Sequence, residues 1–111
     1  MISAAAIAED RIFQALADPS RRRIFESLTR GEAAVKDLTS RFHISQPAVS
    51  QHLAALKDAG LVHARREGRC VYYRVEPEGM KPLIDWIAHY RAFWTKHVAR
   101  LEKLLAEMDD E

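Results

Sequence analysis

The sequence predicts a mainly α-helical chain with one small β-hairpin, an α+β fold. Three observations predict it. Apolar residues recur three and four apart over about five stretches, which is the helical period. One stretch, "LVHARREGRCVYYRV", instead reads as two β-type runs around a Gly-containing tip. Helix start and stop residues stand at the joins between these stretches. With 111 residues, no repeat and no Ser/Gly linker, residues 1–111 read as a single domain with a modest core.

The elements follow in order. Residues 4–17 form a first helix with Ile7, Ile12, Phe13 and Leu16 as its apolar stripe. In "DPSRRRIFESL", Asp18 is a cap and Pro19 suits the first helical position of a second helix, which buries Ile24, Phe25 and Leu28 and stops at Gly31. Arg21, Arg22 and Arg23 are consecutive, so a helix spreads them about 100° apart. One is expected to pair with an acid such as Glu26, and at least one to face outward toward a polyanion. A short helix spans residues 35–41 and buries Val35 and Leu38, and Phe42-His43-Ile44 makes a tight turn in which His43 is expected at positive φ. Ser45 caps the next helix, residues 46–59, which buries Val49, Leu53 and Leu56 and ends at Gly60. "LVHARR" and "CVYYRV", joined by "EGR", form a two-stranded hairpin.

The last predicted helix is one long rod over residues 78–108. Ile87, Tyr90, Trp94, His97, Leu101, Leu104 and Met108 make a heptad-like seam, widened by Ile84, Val98 and Leu105. That is more apolar surface than the remainder of so small a chain can cover, and surplus of this kind marks an interface.

Composition narrows the function. Hydrophobic residues at 48% and charged residues at 30% fit a globular, soluble chain. No apolar run approaches the roughly 18 residues of a membrane helix. The opening "MISAAAIAED" lacks a basic segment and is not read as a signal peptide. A single cysteine, Cys70, fits a reducing cytoplasm. The net charge of +1 hides a pattern: residues 1–18 carry one base and three acids, residues 19–75 eleven bases and five acids, residues 76–111 five bases and eight acids. A basic middle between acidic ends suits contact with a polyanion. No Ser/His/Asp set, paired carboxylates or Gly-rich phosphate loop is present in the pattern, so no enzyme is read and no cofactor is expected.

Two short helices joined by a tight turn, the second opening with the polar residues of "SQPAVSQHL", describe a helix-turn-helix. The second helix of that motif enters the major groove by its N-terminus. Gln46 and Gln51 carry amides suited to base edges, Ser45 and Ser50 can reach phosphates, and Ala48 and His52 lie on the same stretch. His52 stands between two uses, a phosphate contact and packing against the turn. Arg65, Arg66 and Arg69 around Gly68 give the hairpin a basic tip, with Tyr72 behind it, as a wing laid along a DNA backbone requires. The stretches "FQALADPSRRRIFESL", "ISQPAVSQHLAALKDAGLV" and "RREGRCVYYRV" together resemble the ArsR (arsenic-repressor) family of winged helix-turn-helix regulators, over residues 13–75. The resemblance implies about five helices plus a two-stranded wing, and a cytoplasmic homodimeric repressor on double-stranded operator DNA that releases on an inducer. It also implies dimerisation through the first and last helices, here Ile7, Phe13, Ile87, Tyr90, Trp94, Leu101 and Leu104.

The chain departs from the metal-sensing members. The helix before the turn, in "EAAVKDLTSRF", has no thiol, where those members carry a Cys pair. Asp85, His89, His97 and Glu102 are ligand types at unsuitable spacings, and only His89 and His97 come near one helix face, about 80° apart. Zinc takes about four ligands, so no metal is expected. Three alternatives stand beside the repressor reading: a winged-helix module that binds protein instead of DNA, a metal sensor using His89 and His97, and a redox sensor using Cys70 near Arg69 and Arg74. Trp86, Tyr90, Phe93 and Trp94 suit either a dimer core or an effector pocket, with the core favoured.

Overall fold

Ser3 starts the first helix: its hydroxyl accepts a hydrogen bond from the Ala6 N–H (3.1 Å), and α1 runs Ala4–Ala17. The computed structural model describes residues 2–109. Asp18 is extended (φ −73°, ψ 121°), which ends α1 and caps α2, Pro19–Leu28. Its carboxylate accepts from the Arg21 N–H at 3.0 Å, and that bond holds the Asp18 carboxyl below the usual carboxylate range. None of Arg21, Arg22 and Arg23 forms the expected ion pair with an acid such as Glu26 among the described residues. Arg22 Nη1 donates instead to the Leu16 carbonyl (2.8 Å), one of the carbonyls that the end of α1 leaves without an intrahelical partner.

The chain continues as β1 (Ala33–Ala34), α3 (Val35–Phe42), α4 (Gln46–Asp58), β2 (Val62–Glu67) and β3 (Cys70–Val75). The sheet is antiparallel in the order β1-β3-β2, with Ala33 opposite Tyr73 and Arg65 opposite Tyr72. The expected wing had two strands. The third, β1, is two alanines long, with no alternation and weak β propensity, and only pairing with the open edge of β3 makes it a strand. The hairpin turn is also shorter than "EGR": β2 runs through Glu67, leaving Gly68 and Arg69. Gly68 has φ 61°, the positive-φ first position that two-residue type II′ turns assign to Gly.

The core sits where α1, α2, α3 and α4 meet the sheet. Ile12, Ile24, Leu38, Val49, Leu53, Leu56 and Leu61 are fully buried, each contributing about 1.5–3 kcal/mol of burial. Ala15 joins them, which the apolar stripe read for α1 omitted, while Ile7 and Phe13 of that stripe remain on the surface. Helix α4 ends in a Schellman motif. Gly60 takes φ 78°, its N–H donates to the Lys57 carbonyl (2.9 Å), and the Leu61 N–H donates to the Leu56 carbonyl (2.9 Å).

The long last helix is not continuous. A 3-10 turn (Pro77–Met80) leads into α5 (Lys81–His89), and α6 (Arg91–Asp109) follows a break at Tyr90. Tyr90 has φ −103° and ψ 22°, and its N–H donates to Ile87, three residues back, before Trp94 resumes the helical ladder on the Tyr90 carbonyl. Neither Gly nor Pro marks the position, so the apolar period runs straight through it in the sequence. The break falls where α5, held on α1 by Phe13 edge-on to Trp86 (5.4 Å), gives way to α6, none of whose residues joins the core.

Gly79, in the 3-10 turn, lies against the end of α4: a Cβ built on it would stand 1.8 Å from the Gly60 carbonyl oxygen. Both partners are backbone, so neither can swing aside. Gly79→Ala should therefore lower the unfolding free energy by about 1–3 kcal/mol or more. Urea denaturation checks this, and an unchanged midpoint would show that the two segments are not packed this closely.

Candidate nucleic-acid interface

The turn of the helix-turn-helix is His43–Ser45; Phe42 belongs to α3, one residue beyond the expected end. His43 takes the left-handed conformation foreseen for it (φ 55°, ψ 38°), and its N–H donates to the Thr39 carbonyl at 3.1 Å. That positive φ turns the chain out of α3 within a single residue. Ser45 then goes extended and its Oγ accepts from the Ala48 N–H (3.2 Å), starting α4. Arg41 ties α3 back to α2 by donating to the Ser27 hydroxyl.

Packing sets which side of α4 is presented. Val49 and Leu53 are buried, Ser45, Gln46, Ser50 and Gln51 are exposed, and Ala48 and His52 are half-buried. His52 keeps a buried Nδ1 without a hydrogen-bond partner among the described residues. Between the first half of α4 and β3 runs a cleft of about 350 Å³ lined by Lys36, Gln46, Ser50, Arg69, Cys70 and Val71, among others. Lys36 was not among the residues singled out from the sequence. Its signal was a basic residue in the first turn of the helix before the recognition helix, and nothing in the sequence placed it across from Arg69.

The three wing arginines are not equivalent. Arg66 and Arg69 are exposed and form no ion pair among the described residues. Arg65 is held on both sides: Nη2 reaches Glu32 (2.6 Å) and Nη1 reaches Glu67 (2.7 Å). Its guanidinium also lies 4.8 Å from the centroid of the Tyr72 ring. The hydrogen bond from Arg65 holds the Glu32 carboxyl below its usual range, and the same bond raises Arg65. Glu32 too was missed, because it precedes a strand that only tertiary pairing creates.

The terminal helices carry an exposed apolar surface. Ile7, Phe13, Ile87, Tyr90, Trp94, Leu101 and Leu104 are all exposed, from 40% for Trp94 to 57% for Leu101. Trp86, Tyr90, Phe93 and Trp94 line an apolar hollow of about 280 Å³ on the same side. His89 and His97 fall on different helices. His97 stacks on Phe93 (4.1 Å between centroids), with Nδ1 2.9 Å from the Phe93 carbonyl oxygen, and His89 lies edge-on to Tyr90. Among the described residues no three His, Cys, Asp or Glu side chains gather into a metal-binding group. Cys70 is partly buried and unpaired. No helix among the described residues is long and apolar enough to cross a membrane.

A helix-turn-helix whose second helix shows a polar N-terminal half beside a basic β-wing defines a winged-helix DNA-binding regulator. Comparison with known proteins gives the family. The model described as "Bacterial regulatory protein, arsR family" matches residues 18–64, from the α2 cap into β2. The "HTH-type transcriptional regulator Rv2034" of Mycobacterium tuberculosis is 39% identical over 102 residues, covering 92% of each chain. The "Transcriptional repressor SdpR" of Bacillus subtilis is 32% identical over 81 residues, 73% of this chain and 90% of the relative. The crystal structure of the ArsR family transcriptional regulator RHA00566 superposes with a TM-score of 0.73 at 32% identity, covering 86% of this chain and 97% of that one. The chain belongs to the ArsR family of bacterial regulatory proteins, which are transcriptional regulators and not enzymes.

The strained turn gives a direct test. An L-residue in the left-handed region costs about 1–2 kcal/mol, partly offset by the flexibility that Gly adds to the unfolded chain. His43→Gly should therefore stabilise the fold by up to about 1 kcal/mol in thermal or urea unfolding. A destabilised variant would show that the imidazole itself holds the turn.

Proposed function

We propose that this chain is a homodimeric transcriptional repressor that binds an inverted-repeat operator in double-stranded DNA and releases it on an inducing signal. The observation that carries the reading is that Gln46 and Ser50 of α4 face Arg69 of the wing across one cleft, with Gln51 and Arg66 exposed beside it and neither arginine in an ion pair among the described residues. The amides of Gln46 and Gln51 read base edges. The Ala48 methyl packs against a thymine methyl, and Ser45, Ser50 and His52 meet sugar and phosphate. Arg66 and Arg69 neutralise phosphates, with Tyr72 beside them. The relative named a transcriptional repressor supports the direction of regulation. The protein works in the cytoplasm, where its operator lies and where Cys70 stays reduced.

Dimerisation uses α1 together with α5 and α6. Their apolar side chains, from Ile7 and Phe13 to Leu104, are left exposed on the protomer. Covering each large one stabilises by up to about 1.5–3 kcal/mol. Two-fold symmetry then sets the two recognition helices about 34–36 Å apart, one turn of DNA. No metal is part of this reading; zinc, arsenite and cadmium titrations should leave operator affinity unchanged.

Two measurements test the proposal. Gln51→Ala should cost about 1–3 kcal/mol on the operator and relax preference at one position per half-site, whereas Arg69→Ala should weaken binding to operator and scrambled DNA alike. Gel shifts with the protein's own upstream region read both, and no shift with wild-type protein would favour a module that binds protein. Leu101→Glu should yield monomers by sedimentation. A monomeric variant that still binds the operator at wild-type affinity would rule out the dimer.

A further inference from the structure

The wing is poorly anchored by its own strands. A two-stranded hairpin is marginal in water, and here the third strand adds only Ala33 and Ala34. Successive strand residues point to opposite faces. Val62, Tyr73 and Val75 therefore point inward and pack on the core, while Arg65 and its cross-strand partner Tyr72 lie on the outer face. Arg66, opposite Val71, shares the inner-face alternation, on the side where Val71 and Tyr73 line the cleft with Gln46 and Ser50.

On the outer face the Arg65 side chain runs across the sheet. It starts on β2 and passes over the Tyr72 ring of the middle strand, with the guanidinium 4.8 Å from the ring centroid. It ends at Glu32, just before β1, with Nη2 to Oε1 at 2.6 Å and Nε to Oε2 at 3.5 Å. The remaining terminal nitrogen, Nη1, donates to Glu67 at 2.7 Å. Both edges of the guanidinium fork that would clasp a phosphate are thus occupied, and the two carboxylates outnumber the single positive charge. Arg66 and Arg69 carry no such partners among the described residues.

We propose that Arg65 is a positioning residue, a strap across all three strands that holds the wing against the body of the protein so that Arg66 and Arg69 meet the DNA backbone. The part of this that concerns DNA rests on the operator-binding reading above. The strap itself is a property of the free protein.

The test uses the full chain as wild type, Arg65→Gln, Glu32→Gln, the double variant, and Arg69→Gln as a phosphate-contact reference. In the protein without DNA, Arg65→Gln and Glu32→Gln should each speed amide hydrogen exchange at the β1–β3 pairing and in the hairpin by about two- to fivefold. The double variant should be no faster than Arg65→Gln alone, because Arg65→Gln already removes the contact with Glu32. Arg69→Gln should leave exchange unchanged. In operator titrations against salt, Arg65→Gln should bind more weakly with the wild-type salt slope, while Arg69→Gln should lower the slope by about 0.9. The strap is overturned if Arg65→Gln lowers the salt slope as Arg69→Gln does, or if exchange in Arg65→Gln and Glu32→Gln matches wild type. Because exchange is read on the free protein, wild-type protein that fails to bind DNA would remove the operator reading and still leave the strap decided by exchange.

Discussion

Val49, Leu53 and Leu56 are fully buried, and their burial fixes the rotation of α4 about its own axis. Once that stripe is inside, Gln46, Ser50 and Gln51 face outward. The same three side chains set the depth of the helix, because they meet Ile24 and Leu28 of α2 and Leu38 of α3 in one core. The N-terminal half of α4 can then be polar at little cost in stability. Its ties to structure are the buried Val49, the cap Ser45 and the entry turn at His43.

The wing depends on this arrangement at one remove. Leu61 closes the Schellman motif of α4 and Val62 opens β2, so the end of the recognition helix and the start of the hairpin share one set of buried contacts. The Leu61 carbonyl also accepts from the Glu76 N–H (2.9 Å), which joins the exit of the hairpin to its entry. Beyond these anchors the hairpin leaves the core. Its direction there rests on the short pairing with β1 and on the side chain of Arg65. A basic tip is useful to a backbone-contacting wing only if its charges arrive together, which gives those weak ties a role beyond stability.

The C-terminal part follows a different rule. Helix α5 is held on α1 by Phe13 edge-on to Trp86, with the ring of Tyr90 tilted against Trp86. Helix α6 has no share in the core, yet it carries Phe93, Trp94, Val98, Leu101, Leu104, Leu105 and Met108 on its surface. An amphipathic helix of this kind gains its stability from packing more than from propensity. The break at Tyr90 frees α6 to take a direction that the α1–α5 contact does not dictate.

Local rules were enough for the caps and the core. Ser45, Asp18 with Pro19, Gly60 and Gly68 act through bonds or dihedrals within a few residues, and the stripes of α2 and α4 follow from the helical period, so all were legible in the chain itself. The family was legible as well, because its motif is a spacing of such local signals. Tertiary structure decided what depends on long-range neighbours. Ala33–Ala34 became a strand only beside β3, and of the three consecutive arginines Arg22 found a carbonyl partner on Leu16 of the neighbouring helix. The rod of the last helix broke at Tyr90, where the apolar period gave no warning. Arg65, indistinguishable from Arg66 and Arg69 as a residue type, differs because strand parity turns it to the outer face and the fold brings Glu32, 33 residues away, to meet it. Sequence gives the charge of a side chain, but its partners are set by which strands lie side by side.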